Sequence, residues 1–121
     1  MKNVRIRERS YRFALLVIRF CRELRQGREY ELARQLLKAG TSVGANVEEA
    51  SAGYSRADFA AKMAIASKEA RESRYWLRLI VDSGIASQER TAPLLSEAEA
   101  LVNILTAIVK STVTGKTSKC S

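Results

Sequence analysis

Placed on a helical wheel at about 100° per residue, the apolar positions of this chain fall into four stripes separated by short polar breaks. The first segment spans about residues 5–25, with Gly27 as its stop signal. Tyr11, Phe13, Ala14, Leu15, Val17, Ile18, Phe20, Cys21 and Leu24 fill well over half of its wheel. An ordinary surface helix buries a stripe nearer a third of the circumference. So wide a face predicts two partners, the core of a bundle and a second subunit. The other arc carries Arg5, Arg9, Arg12 and Arg19, with Leu16 among them.

The second segment, about 30–52, has Leu32, Leu36, Ala39, Val43, Val47 and Ala50 as its stripe. Beside it Ala33, Gly40, Gly44 and Ser51 form a ridge of small residues, against which another helix can pack closely. Each glycine there costs about 1 kcal/mol of helix propensity relative to alanine. The apolar period continues through both glycines, which favours helix over loop; a local break near Gly40 is the alternative.

Ser55 caps a third segment, about 55–82, with Asp58 three residues on and Gly84 just past its end. Phe59, Met63, Ala66, Ala70, Leu77, Ile80 and Val81 form its main stripe, and Ala61, Ile65, Trp76 and Leu79 a second cluster that includes Glu69 and Glu72. Lys68, Arg71, Arg74 and Arg78 occupy the rest. The fourth segment, about 91–113, starts between Ser87 and Pro93, and Thr91 is favoured as cap because Pro93 then falls in the first turn, where proline is tolerated. Four amphipathic segments with short connections and no strand signal predict an all-α, antiparallel up-down four-helix bundle. It forms one domain over residues 1–113, and 114–121 is expected to be a polar, disordered tail.

Composition adds three constraints. Among 121 residues there is one proline and no histidine. Long helices suit the first fact. The second removes the commonest general base and metal ligand. The longest apolar run, Phe13–Ile18, is far short of the roughly 20 residues of a membrane span, and arginines interrupt the N-terminal apolar stretch where a secretory signal would lie. With Cys21 reading as a buried thiol and Cys120 in the tail, no disulfide framework is implied. A cytoplasmic protein without membrane partners is expected.

The net charge of +8 is unevenly placed. Residues 1–38 hold eleven Lys/Arg and four Asp/Glu, a net of +7, whereas 39–82 are neutral and 83–121 carry +1. A basic end suggests a polyanionic partner. Arginine suits phosphate because its fork of donors matches phosphate oxygens. The blander reading is a solvated face paired with Glu8, Glu23, Glu29 or Glu31.

Enzyme chemistry finds little support. Glu48, Glu49, Glu69 and Glu72 are the carboxylates of a conceivable di-metal bundle, but that architecture uses Glu-x-x-His pairs. Adjacent Glu48 and Glu49 also diverge by about 100°. No metal and no cofactor are expected. No histidine can activate a serine, and no phosphate loop or CxxC is present. Tyr75 and Trp76 could stack on bases, though packing in a core or interface suits Trp76 better. Asn46 and Glu49 lie at the polar edge of their segment and Glu69 on an apolar flank. A partly buried carboxylate needs a basic partner, for which Arg34, Lys38 and Lys62 are candidates.

Three elements carry a family resemblance: S-x-G-A-N-x-x-E-A at Ser42–Ala50, S-x-x-D-F at Ser55–Phe59 and K-E-A-x-E-x-x-Y-W-L at Lys68–Leu77. Together they resemble the bacterial four-helix bundle proteins named for intervening sequences in 23S ribosomal RNA genes. The resemblance implies a cytosolic homopentamer. It also implies distant similarity of fold to the basic accessory protein of diversity-generating retroelements, which binds nucleic acid and a reverse transcriptase. Five copies of this chain would carry about +40.

The expectation is therefore a non-enzymatic, oligomeric protein that binds RNA or DNA by its backbone through Arg5, Arg7, Arg9, Arg12 and Arg19. Gly40, Gly44, Asn46, Glu49, Glu69, Glu72 and Trp76 are expected to serve structure or subunit contacts. The alternative is a protein–protein interaction scaffold without a nucleic-acid ligand.

Overall fold

The computed structural model describes residues 2–53 and 55–114, and they form four helices: α1 (Lys2–Gln26), α2 (Tyr30–Ser51), α3 (Arg56–Asp82) and α4 (Gln88–Thr114). The polar tail expected from residue 114 lies, past Thr114, outside the described residues, as does Cys120.

Cross-helix contacts give the directions. Going down α2, Ala33, Gly40 and Gly44 meet Cys21, Val17 and Ser10 of α1 in reverse order. Arg9 and Glu23 of α1 meet Glu97 and Arg90 of α4. Ser67 meets Thr106, and Arg56 lies by Thr112. All these pairs run antiparallel, so the four helices go up, down, up and down. The α1–α2, α2–α3 and α3–α4 seams are extensive and the α1–α4 seam is much thinner, and among the described residues the backbones of diagonal helices do not come close.

The core is the inward stripe of each helix: Phe13 and Val17, Leu36 and Val43, Met63 and Leu77, Leu101 and Leu105 are all shut off from solvent. Burying one such side chain contributes about 1.5–3 kcal/mol. The small ridge of α2 is packed on α1. A Cβ on Gly40 would stand 2.8 Å from both Val17 methyls, and one on Gly44 would stand 3.4 Å from the Ser10 carbonyl oxygen. The helix runs unbroken through both glycines. Cys21 is buried beside them, its thiol donating to the Ala33 carbonyl at 3.4 Å, and burial pushes its pKa up to about 11.

The helix ends show where local chemistry wins. Ser55 caps α3, accepting from the Asp58 N–H at 3.0 Å. Gly84, at φ +80°, ends α3 in the left-handed conformation, with Ile85 N–H reaching back to the Ile80 carbonyl. At the end of α1 the same motif forms one residue later than expected. Glu29 N–H bonds the Leu24 carbonyl, Arg28 N–H bonds that of Arg25, and the left-handed residue is Arg28 (φ 65°), not Gly27. The start of α4 falls at the early edge of the expected range, not at the favoured Thr91. Ser87 is the cap, its hydroxyl accepting from Arg90 N–H at 3.1 Å. Thr91 is instead buried inside the first turns, donating to the Ser87 carbonyl at 2.8 Å. Pro93 therefore sits within the helix, where it forgoes its bond to the Glu89 carbonyl.

Helix α4 is by length and composition apolar enough to cross a membrane, yet it supplies Leu94, Ala98, Leu101 and Leu105 to the bundle core. Its outer side mixes small residues (Ser96, Ala100, Asn103 and Ala107) with the charged Glu89, Glu99 and Lys110.

Candidate nucleic-acid interface

The five arginines predicted on α1 do not form one face. Arg5, Arg12 and Arg19 recur every seven residues, about 10 Å apart along the helix. They are exposed, and among the described residues none has a carboxylate within 4 Å. Arg7 leans the other way and meets Glu48 of α2 at 3.4 Å. Arg9 turns to α4, where Nε lies 2.6 Å and Nη2 3.2 Å from the two Glu97 oxygens. That double bond raises the Arg9 pKa above its ordinary value and occupies the fork that phosphate would need.

Glu48 and Glu97 were invisible as partners because they lie 41 and 88 residues away in the chain. Of the glutamates nearer in sequence, Glu23 pairs with Arg90 and Glu31 with Arg34, while Glu8 stays on the surface of α1. A shallow groove of about 470 Å³ opens beside the row, lined by Arg7, Glu8, Tyr11, Arg12 and Glu48. Tyr11 there is 62% exposed and Leu15 a turn further 40%. The extra width of the apolar face of α1 thus lies on the surface, interleaved with arginines.

The residues expected to be structural gather elsewhere. Gly40 and Gly44 lie under α1, as described. Asn46 folds back onto its own helix, donating to the Ser42 carbonyl at 2.9 Å. Glu49 is exposed. Glu69 is half-buried, and burial together with the neighbouring Glu72 raises its pKa, while Lys68 and Lys38 act in the opposite sense. Lys38 of α2 is thus the candidate partner that comes near Glu69. Arg34 is engaged by Glu31. Trp76 packs against the core with Tyr75 edge-on at 5.2 Å, and its buried indole N–H has no acceptor. Ile65, Tyr75 and Leu79 beside it are exposed. Among the described residues no group of three or more potential metal ligands comes together.

The fold is thus an all-α four-helix bundle with a thin α1–α4 seam and a row of exposed arginines along α1. Residues 2–107 match the 23S rRNA-intervening sequence protein family, and the chain belongs to it. It is similar to a protein of unknown function from the S23 ribosomal protein family of Bacteroides thetaiotaomicron, solved at 1.70 Å. The two share 32% identity and superpose with a TM-score of 0.86, over 91% of this chain and 99% of that one. No curated protein matches it significantly.

Proposed function

We propose that this protein is a non-enzymatic, oligomeric nucleic-acid-binding protein that holds the phosphate backbone of RNA or DNA with Arg5, Arg12 and Arg19. The observation that carries the reading is this row of exposed arginines, without carboxylate partners among the described residues, at the end of the chain where residues 1–38 hold +7 of the net +8 charge. Arg9 serves by tying α1 to α4, and Arg7 stands at the edge of the row. Phosphate contacts of this kind supply affinity without sequence reading. Assembly into a homopentamer, which membership of the family suggests, multiplies weak contacts into avid binding. The cytoplasm is the compartment that suits it.

The test is binding of a generic RNA and a generic DNA across salt, beside an Arg5/Arg12/Arg19→Ala variant of verified oligomer mass. Binding should weaken steeply with salt and be lost in the variant. Binding that is absent at low salt, or indifferent to the substitutions, overturns the reading. A second reading, a protein scaffold, draws on exposed Tyr11, Leu15, Ile65, Tyr75 and Leu79; a protein partner that survives nuclease and high salt would favour it.

A further inference from the structure

We infer that the nucleic-acid surface extends across α4 to a second arginine row, Arg71, Arg74 and Arg78 of α3, and that the two rows together take double-stranded nucleic acid. The inference rests on the reading above and names the form of its ligand.

Residues spaced i, i+3 and i+7 share one helix face, so the three α3 arginines make a row. Its orientation is given by Arg71, which donates to the Ser67 hydroxyl at 2.9 Å, while Ser67 meets Thr106 of α4 at 3.2 Å. The row therefore stands on the α4 side of α3. A hydroxyl leaves the guanidinium charge uncompensated, and among the described residues no carboxylate lies within 4 Å of any of the three. Arg71 and Arg78 are exposed and Arg74 half-buried.

The α1 row borders α4 on its other side. Arg5 and Arg12 stand one helical turn to either side of Arg9, which is fixed to Glu97 of α4. The levels agree as well. Thr106 is level with Ser67 and the helices run antiparallel, so Arg74 and Arg78 come level with the stretch of α4 around Glu97, and hence with Arg9 and Arg12.

Between the rows α4 presents Ser96, Ala100, Asn103 and Ala107, small residues at helical spacing that leave the surface smooth. Ser96, Glu99, Asn103, Ala107 and Lys110 are exposed, so this side of α4 faces outward. The exposed carboxylates close to the α3 row are Asp82, one turn beyond Arg78, and Glu99 of α4. Helices α1 and α3 lie across the diagonal from each other on either side of α4, so interaxial distances of 8–10 Å between neighbours put their axes on the order of 11–14 Å apart. One strand can follow one row. Two strands flanking a groove about 12 Å wide place phosphates near both rows, with the smooth helix facing the groove.

The test uses the full chain and an Arg71/Arg74/Arg78→Gln variant, with mass and helicity verified, and Arg78→Gln alone in case the triple variant does not fold. Each is titrated with a duplex of about 20 base pairs and with a single strand of equal length, across salt. The triple variant should lose about tenfold or more in duplex affinity and about two units of salt slope, with single-strand binding changed far less; Arg78→Gln should show the same bias in smaller measure. Glu99→Gln should tighten duplex binding. Wild-type duplex affinity in the α3 variants, with loss only in the α1 variant, overturns this inference and leaves the α1 reading standing. Equal losses for duplex and single strand overturn the duplex assignment. A changed oligomer mass in the α3 variants assigns the α4 face to a second copy of the chain and overturns it too. No binding of either ligand by the wild type overturns both readings.

Discussion

Arg9 and Glu97 clasp α1 to α4 through two parallel bonds of 2.6 and 3.2 Å, across the thinnest seam of the bundle. Both side chains keep some solvent contact, so screening limits the pair to about 1 kcal/mol even in this bidentate geometry. Arg9→Ala and Glu97→Ala should each destabilise the fold modestly. A double-mutant cycle in urea should return a coupling of that size. Additive single effects would mean that the clasp contributes nothing.

Gly40 and Gly44 should respond oppositely to alanine. Both substitutions gain about 1 kcal/mol of helix propensity. At Gly40 the new methyl meets buried Val17 at 2.8 Å, and overpacking costs about 1–3 kcal/mol. Gly40→Ala should therefore be net destabilising. At Gly44 the nearest atom is 3.4 Å away, and Gly44→Ala should be neutral or better. Thermal midpoints of the two variants check the contrast, and equal midpoints would refute it.

Arg28 occupies the left-handed region with a full side chain. Glycine adopts that conformation without steric cost, offset partly by greater freedom when unfolded. Arg28→Gly should stabilise the protein by about 0.5–1 kcal/mol, read as a higher urea midpoint at unchanged slope. A lower midpoint would show that Arg28 makes a contact worth more than its backbone penalty.

Glu69 gives the fold a pH dependence of definite sign. Burial and Glu72 raise its pKa in the folded chain, so the folded state holds this proton more tightly than the unfolded state does. Stability from this group is present below the ordinary glutamate range and is lost as pH rises through the raised folded value. Glu69→Gln should be more stable than wild type at about pH 7, with the difference vanishing near pH 4. Its curve of stability against pH should be flatter over that interval. A Gln variant less stable at neutral pH would mean that Lys38 and Lys68 outweigh burial.

The four-helix architecture was legible because apolar periodicity and punctuation agree along the chain. Ser55 and Gly84 act where they stand in the sequence, since capping and left-handed turns are decided within a few residues. The start of α4 was misread for a related reason. Pro93 suggested a helix beginning at Thr91, but burial of Thr91 and the Ser87 hydroxyl together outweigh one lost backbone bond. Arg28 was passed over because Gly27 is the better left-handed residue by itself; the register of Leu24 and Glu29 places the turn one residue on. The arginines of α1 were legible as exposed basic residues but not as individuals. Whether one is paired depends on carboxylates brought in from α2 and α4, and nothing in the local pattern reports that. The α3 row was visible as spacing, yet its meaning depends on its level relative to α1, which only the packed bundle gives.

The thin α1–α4 seam also sets an order of events. Its defining pair spans 88 residues of chain, whereas the other three seams join neighbours in sequence. Hairpins of adjacent helices close quickly because little chain entropy is lost in bringing them together. The bundle should thus zip from its hairpins and close at α1–α4 last, and during synthesis α1 must wait for α4 to emerge. In the finished molecule the same seam should open first, exposing amide hydrogens along the edge of α1 to exchange well before the interior of α2 and α3 gives way.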